Sequence, residues 1–106
     1  MFSNTPPPPY YAVIFSSVRT TDTKGYSEMN ARMNALALEQ DEFLGMENAE
    51  SEIGISISYW NDLESIKQWK ANLDHRNAQE EGKKRWYSHY KVRIAKVERD
   101  YEFLNT

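Results

Sequence analysis

Residues 10–18 read YYAVIFSSV, an extended-type segment with apolar side chains on both of its alternating faces. A strand with one wet face alternates apolar and polar residues, whereas one lacking that alternation is covered on two sides. The segment therefore predicts a central strand. At 106 residues the chain is one domain with one core. Covering both faces of that strand must fall to a few further elements or to a second copy of the chain.

Before the strand, residues 1–9 (MFSNTPPPP) carry four consecutive prolines, which fix φ and remove donors. They predict a polyproline-like, flexible tail and leave 10–106 as the domain. After the strand and a polar loop, GYSEMNARMNALALEQ places Tyr26, Met29, Met33, Leu36 and Ala37 on one helical face, ending near Gln40. Two short strands follow, 43–49 and 53–60, joined by the polar ESE. In the second, Ile53, Ile55, Ile57 and Tyr59 share one face; Gly54, Ser56, Ser58 and Trp60 share the other.

Asn61 or Asp62 can cap a second helix, whose apolar positions Leu63, Ile66, Trp69 and Leu73 recur at helical spacing, with Gly82 as its stop signal. The last strand spans about 87–101, and its apolar set changes parity midway, from Tyr90, Val92 and Ile94 to Ala95, Val97 and Tyr101. That change predicts a β-bulge near the middle. The order β-α-β-β-α-β, with right-handed crossovers, gives an α+β ferredoxin-like domain: a four-stranded antiparallel sheet with both helices on one face. The opposite face stays open, yet the first strand reads as covered twice. A homodimer formed through sheet faces is the expected resolution.

Composition narrows the function classes. Residues 1–82 hold six basic and thirteen acidic side chains, and 83–106 hold seven and three, too weak an asymmetry to argue for nucleic acid. The short basic run GKKR at 82–85 reads as solvated surface. There is no cysteine, so neither disulfides nor thiolate-bound metals enter, and the cytoplasm is the expected location. No apolar run approaches the roughly 20 residues of a membrane span, and the N-terminus lacks a signal-peptide pattern. His75 and His89 sit on different predicted elements without metal-ligand spacing, so no metal site is expected. Seven tyrosines and three tryptophans favour a ligand pocket or a subunit interface, since each ring joins a large apolar body to a hydrogen-bonding tip.

EFLGMENA, the strand end SYW, IKQWK in the second helix, DHRNAQ after it and WYSHYKVRIAKVERDY at the end together resemble the antibiotic biosynthesis monooxygenase superfamily, in its small stand-alone bacterial branch. The resemblance covers about 10–103. It implies ferredoxin-like domains pairing into a dimeric α/β barrel, and a scaffold used for several chemistries: cofactor-free oxygenation of aromatic polyketides, quinol oxidation, haem degradation and aldehyde processing. Cofactor-free oxygenation needs a substrate acidic enough to become an anion, donors that stabilise it, and a dry pocket admitting O₂.

On that reading the candidate pocket is lined by Tyr59, Trp60, Trp69, Gln79 and Trp86, with His75, Asn72 and Ser58 as hydrogen-bond donors or proton acceptors. No cofactor is expected, and the substrate is a small aromatic or quinol-like molecule. His75 reaches the pocket only if NLD at 72–74 breaks the helix, with Asp74 capping a second segment. In the haem-degrading branch a helix Trp is followed ten residues later by a haem-ligating His; here that position is Gln79, and the first-strand asparagine of those enzymes is missing. A non-catalytic dimer that binds a small ligand in the same cavity is the alternative of a different class.

Overall fold

The computed structural model describes residues 2–75 and 85–105, with the side chains of residues 73–75 left aside. Along the chain run β1 (Tyr10–Arg19), α1 (Tyr26–Leu38), β2 (Phe43–Glu50), β3 (Gly54–Trp60), α2 (Leu63–His75) and β4 (Tyr87–Val97). The strands form one sheet in the order β2-β3-β1-β4, every neighbouring pair antiparallel. This is the predicted ferredoxin-like βαββαβ topology, with β1 central.

Register separates the two faces of the sheet. Tyr11, Val13, Phe15 and Ser17 of β1 stand beside Trp60, Ser58, Ser56 and Gly54 of β3, and Arg19 continues their parity opposite Tyr87 of β4. The core forms on this side, where Val13, Trp60 and Ile66 pack together with Tyr11, Phe43 and Trp69 against them. The small, hydroxylic face of β3 is thus the one beneath the helices. Its isoleucine face lies on the other side, with Tyr10, Ala12, Ile14, Ser16 and Val18 of β1.

Helix α1 covers the sheet through its predicted stripe: Ala37 is fully buried, and Tyr26, Met29, Met33 and Leu36 are partly so. Its N-cap is Gly25 at φ 80°, a left-handed conformation that glycine adopts without strain. Helix α2 starts at Asp62, whose Oδ1 accepts the Ser65 N–H at 2.7 Å, so the capping role falls to Asp62 rather than Asn61. The helix continues through NLD to His75 without the break that the sequence allowed. Ile66 points into the core, whereas Leu63, one turn earlier, is exposed at the helix start.

The last strand differs from the sequence reading in its end and in the place of its bulge. Regular pairing of β4 ends at Val97, and the register shift lies at its beginning, where Val18 pairs with His89 and Arg19 with Tyr87. Ser88 is therefore the extra residue, and the strand stays regular through Ile94–Ala95. Parity misled because Val92 and Ile94 keep to the helix side while Ala95 and Val97 sit on the open side, where apolar residues are also accommodated.

The open face is partly covered by the chain itself. The Ser3 N–H donates to Glu47 Oε2 at 2.8 Å, the Tyr10 hydroxyl donates to Asp100 at 2.5 Å, and Tyr10 meets Tyr59 edge-on at 5.9 Å. Asp100 and Tyr59 thereby flank the buried Tyr10 and Ser3 is tied to β2, while Ile53, Ile55 and Val18 stay exposed. Among the described residues no helix is long and apolar enough to cross a membrane.

Candidate functional site

Between the helix-side face of the sheet and the two helices lies a cavity of about 560 Å³, inside the range of small-molecule sites. Its existence follows from residue size. Ser17, Gly54, Ser56 and Ser58 form the floor where larger side chains would have met the helices. Met33, Asn30 and Asn34 of α1 and Ile66, Trp69 and Lys70 of α2 form the roof. Val92 and Ile94 line the cavity and are still 46% and 53% exposed, which places its mouth along β4.

One end is built around the tryptophans. Trp60 is fully buried behind the wall, its indole N–H donating to Ser58 Oγ at 2.9 Å. Trp69 lies against it with ring centroids 5.2 Å apart and lines the cavity directly. The Trp69 Nε1 is buried with no hydrogen-bond partner among the described residues. A buried donor left unpaired costs about 1–3 kcal/mol, which an acceptor brought to this N–H would offset.

The other end is aromatic and cationic. Phe15 stacks on Tyr90 at 5.3 Å, and Tyr87 meets Phe15, Tyr90 and Tyr26 edge-on. Burial, and then a hydrogen bond with Tyr26, push the Tyr87 phenol well above its ordinary pKa, so it stays neutral. The Arg19 guanidinium lies 3.3 Å from the Tyr26 ring centroid. Trp86 closes this end, its indole N–H donating to the Lys24 carbonyl at 2.8 Å and its ring meeting Tyr26 edge-on. The Thr20 N–H bonds the Trp86 carbonyl at 2.8 Å, so the loop after β1 is tied to the start of β4.

The sequence-derived candidates divide accordingly. Ser58, Trp69 and Trp86 line the cavity, and Trp60 backs it. Tyr59 points to the opposite face, where its hydroxyl donates to Glu47 Oε1 at 2.9 Å. Asn72 is exposed on α2 and does not line the cavity. The His75 side chain and all of Gln79 lie outside the described residues. Arg19 and Tyr26 were not among the candidates. Arg19 lies just beyond the strand expected at 10–18, although it shares the parity of Val13, Phe15 and Ser17. Among the described residues no three His, Cys, Asp or Glu side chains converge as a metal site.

Comparison with known proteins finds a close sequence relative and solved structures of the same fold. The chain is 46% identical over 99 residues to the uncharacterized protein YqjZ of Bacillus subtilis, covering 92% of this chain and 87% of YqjZ. No family model matches. Among solved structures it is similar to a mutant of SnoaB, a cofactor-independent oxygenase from Streptomyces nogalater, with a TM-score of 0.72 at 9% identity over 86% of this chain and 95% of that one. It is also similar to a candidate antibiotic biosynthesis monooxygenase from Nitrosomonas europaea, with a TM-score of 0.66 at 10% identity over 87% and 92% of the two chains.

Proposed function

This chain belongs to the family of Bacillus subtilis YqjZ and has the fold of the antibiotic biosynthesis monooxygenases, and from that premise we propose that it oxidises a small aromatic or quinol-like molecule with O₂, without a bound cofactor. The observation that carries the reading is the cavity of about 560 Å³ with Trp69 on its wall, the indole N–H of that residue being buried without a hydrogen-bond partner among the described residues.

A substrate that ionises readily enters as its phenolate or carbanion. The ring packs among aromatic side chains, and the Trp69 N–H donates to the anionic oxygen, in surroundings where such a bond is strong. Electrons pass from the substrate carbon to O₂. At the methylene carbon of an anthrone one oxygen atom remains as a carbonyl and the other leaves as water with the two hydrogens that carbon has lost; at a ring C–H of a quinol one oxygen atom remains as a hydroxyl, and the other leaves as water with the two hydrogens given up as the quinol becomes a quinone. Ser58 contributes by holding Trp60, and through it the position of the Trp69 ring. The functional unit is a homodimer joined through the open sheet face, where Ile53, Ile55 and Val18 remain exposed.

Oxygen consumption with a panel of anthrones and quinols tests the activity. Uptake by the wild type, reduced at least about tenfold in Trp69→Phe, is the expected result, since the loss of one charge-assisted hydrogen bond has that size. Binding without oxygen uptake contradicts catalysis and identifies a ligand-binding dimer.

A further inference from the structure

We propose that Arg19 is an anion subsite of the cavity, so that the ligand is a flat aromatic acid whose ring enters the Phe15, Tyr87 and Tyr90 cluster and whose carboxylate meets the guanidinium. This rests on the cavity being a small-ligand site and is independent of turnover.

Arg19 is the last residue of β1 and shares the cavity-facing parity of that strand. Its side chain is only 18% exposed, and its Nε is buried with no hydrogen-bond partner among the described residues. A guanidinium carries five N–H donors, yet among the described residues the neighbours of this one supply little. Glu50 approaches Nη1 at 3.8 Å, beyond hydrogen-bonding distance, and the Glu50 side chain is itself 59% exposed. On one side the cation rests on the Tyr26 ring, which satisfies a charge but no donor. The other cation on the cavity wall among the described residues, Lys70, is exposed.

A largely desolvated guanidinium short of acceptors, at the end of an aromatic cavity, is matched by a planar carboxylate accepting two parallel N–H donors. Tyr87 does not compete for that role, because its raised pKa keeps it uncharged. Glu50 opposes it weakly, as a solvated carboxylate facing the same cation. The two ends of the cavity then divide the ligand. Arg19 fixes the carboxylate, and the Trp69 N–H meets a polar group at the tryptophan end.

Titration of the purified protein with hydroxynaphthoate and with its uncharged amide, followed by quenching of tryptophan fluorescence, tests the subsite. The wild type is expected to bind the acid about tenfold more tightly than the amide. Arg19→Gln should bind the two equally, with the amide affinity and the unfolding midpoint near wild type. Glu50→Gln should tighten binding of the acid alone and keeps the test open should Arg19→Gln not fold. Equal wild-type affinities, an acid preference that survives in Arg19→Gln, or a Glu50→Gln variant without effect on the acid would each overturn the subsite while leaving the cavity as a binding site. If neither compound bound, the cavity reading would fall, and the subsite with it.

Discussion

Trp60 can be fully buried because Ser58 Oγ takes its indole N–H. Removing that acceptor in Ser58→Ala strands a donor with no water to replace it. Equilibrium denaturation should show a loss of about 1–3 kcal/mol, whereas Asn72→Ala, on the exposed side of α2, should stay within about 0.5 kcal/mol of wild type. Tyr59 provides a second test. Desolvation, and then its bond to Glu47, raise its pKa from the ordinary 10.0 to about 12. The folded protein holds this proton more tightly than the unfolded chain, so the contribution is complete below pH 10 and disappears as pH climbs towards about 12. Unfolding measured across that window should reveal a fall in stability that is shallower in Tyr59→Phe; an unchanged slope would show that Tyr59 titrates normally.

Residue identity made one end of the site legible and hid the other. Ser58, Trp60 and Trp69 declare themselves as small hydroxyls and large rings on one face of a strand and helix. Arg19 does not, because a charged residue after an apolar run reads as the beginning of a loop. Only the extension of β1 pairing to Arg19, opposite Tyr87, gives it a parity and hence a direction.

At the scale of elements, α2 depends on its cap. The Asp62 carboxylate accepts the Ser65 N–H, and that bond lowers its pKa. Its support is therefore present above the ordinary carboxylate range and is lost as pH falls through the depressed value. Asp62→Ala should lower the unfolding midpoint near neutrality, and the gap to wild type should close in acid. In β2, Gly45 has φ 150° beside a register shift, and a Cβ there would stand 2.5 Å from Ser3 Oγ. Gly45→Ala should accordingly cost about 1–3 kcal/mol of stability, read from the denaturation midpoint. Element order, the alternation of β3 and the stripe of α1 were all readable from hydrophobic period. The position of the β4 bulge and the continuity of α2 were not. Parity in β4 was blurred by apolar residues on both of its sides, and NLD is compatible equally with a helix interior and with a cap.

For the molecule as a whole, the two faces of the sheet have different fates. One carries the cavity; the other is covered partly by contacts from residues near both chain ends, with Ile55 still 43% exposed. Apolar β-strand surface of this kind is where the homodimer should form. Light scattering at micromolar concentration should report a dimer for the wild type and a monomer for Ile55→Asp; a wild-type monomer would refute the interface. The doubly covered character of β1 was plain in its sequence, but the contribution of residues before Tyr10 to that cover was not, because a proline run carries no periodic signal of what it packs against. On the proposed function, the cavity between sheet and helices performs oxygen chemistry on an aromatic molecule. Its most direct test is dissolved-oxygen consumption by the purified wild type and Trp69→Phe with oxidisable anthrones and quinols. Uptake by the wild type that falls at least about tenfold in the variant is the predicted result, and uptake that is absent from both, or equal in both, would contradict it.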